Sequence, residues 1–175
     1  MNPSIRIRIC IPLLFIASAC SKLAQNPVGQ PATPAASQRI TSQSVVDVAA
    51  QPTEIAAGGS ADATVRVTIK SGYHINANPP TYPYLKATSL EISPTDDFSV
   101  SFVTYPEGSN KKFPFAEKPL AIYEGDTELK ATLKAKKSAK PGEQFIPASL
   151  RIQACDDQVC YPPGQIELRI PVTVK

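Results

Sequence analysis

Cys155 and Cys160 are the residues of this sequence best suited to chemistry. They lie in the run Arg151-Ile152-Gln153-Ala154-Cys155-Asp156-Asp157-Gln158-Val159-Cys160-Tyr161-Pro162-Pro163. A strand pattern runs into Cys155, four residues turn, and Cys160 begins the return, which brings the two Cβ atoms within reach of a bridge. A bridge closing so short a loop stabilises a fold by only about 2 kcal/mol in the chain-entropy view, and longer loops give more. A small exposed ring is also easily opened and reclosed, so the pair reads either as a stapled hairpin or as a redox site. Asp156 and Asp157 would push a neighbouring thiol's pKa upward, and no helix N-terminus or adjacent cation is there to lower it. Such a thiol attacks slowly at neutral pH, so its disulfide serves better as the target of an incoming partner thiolate. Pro162 and Pro163 remove two backbone donors after Tyr161, which keeps that edge unpaired and leaves a partner room to approach.

Other chemistries find less support. His74 is the single histidine, and no G-x-S-x-G run accompanies it, which argues against a hydrolase triad. As a metal ligand it would need Cys155 and Cys160 as partners for Cu(I) or Zn. The simpler reading is a strand-end histidine at the surface with no metal. Asp96-Asp97 and Asp156-Asp157 are neighbours in an extended chain and point to opposite sides, which suits turns rather than paired acid/base work. Lys111-Lys112 and the lysines from Lys134 to Lys140 read as solvated loop or strand faces.

The net charge of +3 overstates the basicity of the mature protein. Two of the 18 basic residues, Arg6 and Arg8, lie in the leader, which leaves 16 against 15 acidic residues and no footprint for nucleic acid. Arg6 and Arg8, the apolar run Ile9 to Ile16 and the small residues Ala17-Ser18-Ala19 form an export signal over residues 1–19. That apolar run is far short of the roughly 20 residues needed to span a bilayer. Cys20 follows directly and is the expected lipid attachment site, with plain cleavage after Ala19 as the alternative. Ser21 fits sorting to the outer membrane, so the expected location is the cell envelope, facing the periplasm. Membrane contact would then come only through the N-terminal lipid. Cys10 leaves with the leader and Cys20 is consumed by lipid, so Cys155 and Cys160 alone remain in a compartment where disulfides form.

Residues 20–43, rich in Pro, Ala, Gln and Ser, read as a flexible tether. Beyond it the hydrophobic period is two rather than 3.6. Thr64 to Lys70 alternates with Val65, Val67 and Ile69 facing inward, and residues 98–102, 129–133, 149–153 and 166–174 behave alike. Turn signals separate these runs at Gly58-Gly59, Ser71-Gly72, Ser93 to Asp96, Glu124 to Asp126 and Lys140 to Gly142. With 18 prolines and no stretch of helical period, residues 44–175 are expected to form an all-β, immunoglobulin-like antiparallel sandwich of seven to nine short strands.

The element Cys155-Asp156-Asp157-Gln158-Val159-Cys160-Tyr161-Pro162-Pro163, followed by a terminal strand, resembles the N-terminal periplasmic domain of the thiol:disulfide interchange protein DsbD. Ile69 to Ile75, Phe113 to Glu117 and Ile122 to Gly125 extend the resemblance, which covers residues 45–174 in order. It implies an immunoglobulin-like domain that carries electrons from a membrane-embedded protein to thioredoxin-like periplasmic partners, using its sulfurs and no cofactor. It further implies that Cys160 forms the mixed disulfide and Cys155 resolves it, while an aromatic cap shields the pair. Phe113 and Phe115 are the cap candidates, with Tyr73 and Tyr161 packing beside the sulfurs. The cysteine spacing is one residue shorter than the family's usual pattern. The family's membrane and thioredoxin-like domains have no counterpart in these 175 residues, so electrons are expected from a separate protein. The alternative from another class is a non-catalytic binding or assembly module with a permanent disulfide.

Overall fold

The computed structural model describes residues 39–175; the export signal, Cys20 and most of the tether expected above lie outside the described residues. A single 3-10 turn, Ser42–Val45, opens the described chain. Twelve strands follow. They are β1 (Val46–Ala50), β2 (Thr53–Ile55), β3 (Ser60–Ile69), β4 (His74–Asn76), β5 (Ser89–Ile92) and β6 (Phe98–Thr104), then β7 (Ser109–Lys111), β8 (Leu120–Tyr123), β9 (Asp126–Ala135), β10 (Gly142–Ile152), β11 (Ala154–Cys155) and β12 (Gly164–Val174). Eight of them have four or more residues, within the expected seven to nine. The other four are fragments of two or three residues, too short to show a period.

The long strands build two four-stranded sheets, β1-β3-β9-β6 and β2-β12-β10-β5. Every pairing in them is antiparallel except β2 against β12. Alternation sends Val65 and Val67 of β3 and Leu129 and Leu133 of β9 into one core with Ile146, Leu150, Ile170 and Val172 of the facing sheet. This is the all-β sandwich, closed by side chains worth roughly 1.5–3 kcal/mol each on burial.

A third sheet of shorter strands, β11-β4-β8-β7, carries the cysteine pair at its edge. The chain enters it from the second sheet through Gln153, directly after Ile152 ends β10. Gln153 secures the crossover. Its side-chain oxygen accepts from Asn76 Nδ2 at 3.2 Å and from Lys86 N at 3.0 Å, and its amide donates to Tyr161 O at 3.3 Å. Ser42, within the stretch read as tether, is buried against the same region. Its hydroxyl donates to Pro162 O at 2.7 Å and accepts from Ala154 N at 3.0 Å, so it clamps both flanks of the cysteine loop.

Candidate functional site

Cys155 and Cys160 form a disulfide in the structure, with Cα atoms 3.9 Å apart. Cys155, at the end of β11, is 0% exposed, whereas Cys160 is half-buried on the returning chain. The two sulfurs therefore differ in access although one bond joins them.

The four residues between them are organised by Asp156. One carboxylate oxygen accepts from the backbone N–H groups of Gln158 and Val159, each at 2.8 Å, and the other accepts from Tyr161 Oη at 2.6 Å. The Asp156 backbone N–H donates to Val159 O at 2.9 Å, and Tyr161 N donates to Ala154 O at 2.8 Å. The Tyr161 hydroxyl and the two backbone donors hold the Asp156 carboxyl below its usual 3.8. A carboxyl lowered in the folded state contributes stability above its unfolded pKa and loses it as pH falls through the folded value, so the anchor is intact throughout the neutral range. The same bond, with desolvation second, pushes the Tyr161 phenol up to about 12. Asp156→Ala should bring that phenol back toward the ordinary value of about 10. An ultraviolet phenolate titration checks this, and an unchanged last tyrosine transition would refute the role given to the carboxylate. Tyr73 packs obliquely against Tyr161, ring centroids 6.2 Å apart.

His74 is not the surface histidine expected from its place beside a turn. The Ser71-Gly72 turn, with Gly72 at φ 84°, delivers it into β4, where it pairs with Cys155 across the strands. It is 1% exposed and stacks on Phe113, centroids 4.3 Å apart. Its Nε2 is buried with no hydrogen-bond partner among the described residues. Burial holds the imidazole below its usual 6.5, Lys111 acts in the same direction, and Glu124, Asp157 and Asp156 oppose. Local sequence carried no signal for this, because the covering groups are remote in the chain.

The two phenylalanines of the β7–β8 hairpin part company. Phe113 is buried with Leu120 and Ile122 in a second, small apolar cluster. Phe115, stacked on it at 5.3 Å, is 44% exposed. Lys112 fastens the loop that carries both, its ammonium donating to the carbonyls of Ala116 and Glu117. Outside this loop a cleft of about 410 Å³ opens beside Cys160, walled by Tyr84, Leu85, Phe115, Leu120 and Val159. Tyr84 and Val159 are strongly exposed there, and Val159 carried no signal in the sequence beyond its place between the cysteines. Among the described residues no group of three or more His, Cys, Asp or Glu side chains is placed to hold a metal. No described helix is long and apolar enough to cross a membrane.

A buried Cys155 bonded to a Cys160 that lines an open, mixed polar and apolar cleft is suited to attack by an external thiolate. The N-terminal periplasmic domain of ScsB from Proteus mirabilis superposes with a TM-score of 0.52 at 16% identity, over 72% of this chain and 46% of that one. This chain thus spans less than half of that structure. Lower similarity links it to a family 123 glycoside hydrolase from Clostridium perfringens, with TM-score 0.32, 11% identity, and 75% and 27% of the two chains covered. No match was found among curated proteins. The family model of the N-terminal region of the thiol:disulfide interchange protein DsbD matches residues 42–170, three-quarters of the chain and all of the cysteine site, and the chain belongs to that family.

Proposed function

We propose that this chain is a thiol:disulfide carrier of the bacterial cell envelope, lipid-anchored through Cys20 and facing the periplasm. On this reading it takes two electrons from a separate membrane electron-transfer protein and gives them to thioredoxin-like proteins. The observation that carries the proposal is the asymmetry of the pair, with Cys155 buried and Cys160 beside the open cleft.

In the reducing half, a partner thiolate attacks Cys160 Sγ. The Cys155–Cys160 bond breaks, a mixed disulfide forms on Cys160, and Cys155 leaves as a thiolate that takes up a proton. The partner's second thiolate then attacks its own sulfur in the mixed disulfide and releases the Cys160 thiolate, which is protonated. Two electrons and two protons have then moved from the partner dithiol to this pair. Delivery to an oxidised partner runs through the same steps in reverse.

Phe115 and Tyr84 give the cleft an apolar rim against which a partner's active-site surface packs. Phe115 acts as the movable shield, and Phe113 is the base on which it rests. Tyr73 and Tyr161 hold the far side of the loop. The test is to mix the oxidised protein with a reduced thioredoxin-like protein under native conditions. Reduction within seconds to minutes, with the fold retained, supports the carrier. A disulfide inert until denaturant is added contradicts it.

A further inference from the structure

We propose that His74 is the proton carrier for Cys155, taking the thiol proton on Nε2 when Cys155 attacks the mixed disulfide. The inference rests on the exchange reading above and adds a residue to it. Three observations meet at this histidine. It stands directly opposite Cys155 in the antiparallel register, where side chains project from the same face with Cβ atoms about 4.5–5.5 Å apart. It is buried and clamped by its stack on Phe113, so its orientation is fixed by packing rather than by solvent. Among the described residues its Nε2 has no partner while the disulfide is closed, an arrangement that folded proteins seldom keep without a use.

The need is chemical. Cys155 is fully buried, and burial disfavours a thiolate, so a base must stand beside it when it is asked to attack. The charged groups around His74 are Glu124 after β8, Lys111 at the end of β7, and Asp156 and Asp157 in the cysteine loop. Burial outweighs the three carboxylates and leaves the ring neutral near pH 7, able to accept a proton. In the resolving step the Cys155 S–H proton passes to Nε2 and the Cys155 thiolate attacks Cys160 Sγ. The Cys155–Cys160 bond forms, the bond from Cys160 to the partner sulfur breaks, and that sulfur leaves as a thiolate. The imidazolium then gives its proton to the leaving thiolate or to water. The opening step is the reverse, with the imidazolium protonating Cys155 as it departs.

The experiment uses the reduced protein, its His74→Gln variant, and His74→Phe, which keeps an aromatic ring on Phe113. Each is mixed with glutathione disulfide, and the glutathione adduct on Cys160 is followed by mass spectrometry across pH 5.5–9.5. In the native protein resolution keeps up at neutral pH and the adduct stays scarce. In both variants resolution at pH 7 should slow on the order of a hundredfold, and the adduct accumulates. The variant rates should then rise about tenfold per pH unit and approach the native rate only at pH ~9 and above, where the buried thiol ionises without help. Variants that resolve the adduct at the native rate overturn the proposal. So does a deficit equal at all pH values, which would mark a packing role. If the native protein itself forms and resolves no adduct while folded, the exchange reading falls first. Native exchange with unaffected variants removes only the role of His74.

Discussion

Cys155→Ala should trap a partner and Cys160→Ala should trap none. With Cys155 removed, the thiol of Cys160 still faces the cleft, and a mixed disulfide formed there has no internal thiolate to resolve it. With Cys160 removed, the remaining thiol is at a position that is 0% exposed and no partner sulfur can approach it. Turnover should fall below detection in both variants, while the mixed disulfide appears in one alone on a non-reducing gel. Stability does not separate them, because each loses the same small ring, a contribution of about 2 kcal/mol. A mixed disulfide on Cys155 in the Cys160→Ala protein would reverse the assignment of roles.

The second large effect is structural. Phe113→Ala should destabilise the domain by about 3–5 kcal/mol, the range for removing a buried aromatic ring. In thermal unfolding that is a drop on the order of 10 °C for a domain of this size. The ring is 1% exposed, anchors the small cluster with Leu120 and Ile122, and is the surface on which both His74 and Phe115 stack. Phe115→Ala, in contrast, removes a half-exposed ring and should shift stability by about 0.5 kcal/mol or less. Its effect should appear as faster attack on Cys160 by a small thiol. Urea denaturation of the two variants separates the roles. Equal losses of stability would mean that Phe115 is part of the core and no shield.

These two residues also mark what the sequence could and could not tell. The sandwich was legible because β3, β9, β10 and β12 are 10 or 11 residues long, enough for a period of two to stand out. Val65, Val67 and Ile69 face inward as their alternation predicts. The third sheet was not legible. In β4 the residues His74, Ile75 and Asn76 are all buried, which leaves no alternation, and β11 has only Ala154 and Cys155. The burial of His74 depends on Phe113 and Cys155, which reach it only through pairing distant in the chain.

The cysteine site was half legible. The spacing Cys155 to Cys160 announced a small ring, and the structure forms it. Asp156 was read as an ordinary turn residue. Its two backbone acceptor bonds fit that reading, yet its bond to Tyr161 ties the turn to the aromatic pair of Tyr161 and Tyr73. Phe113 and Phe115 stood out together as aromatics of one loop. Which faces inward is set by the packing of Leu120 and Ile122, and nothing local encodes it. Ser42 was hidden by its setting in a polar, proline-rich stretch, though its hydroxyl bridges Ala154 and Pro162.

The central claim is that the Cys155–Cys160 bond is a working redox couple, and its reduction potential tests that most directly. The folded protein is equilibrated in glutathione or dithiothreitol buffers and the oxidised fraction is measured. The carrier reading predicts a potential of roughly −200 to −250 mV, within reach of thioredoxin-like proteins. A value below about −300 mV, or a bond that yields only as the domain unfolds, would make it a structural staple and contradict the account.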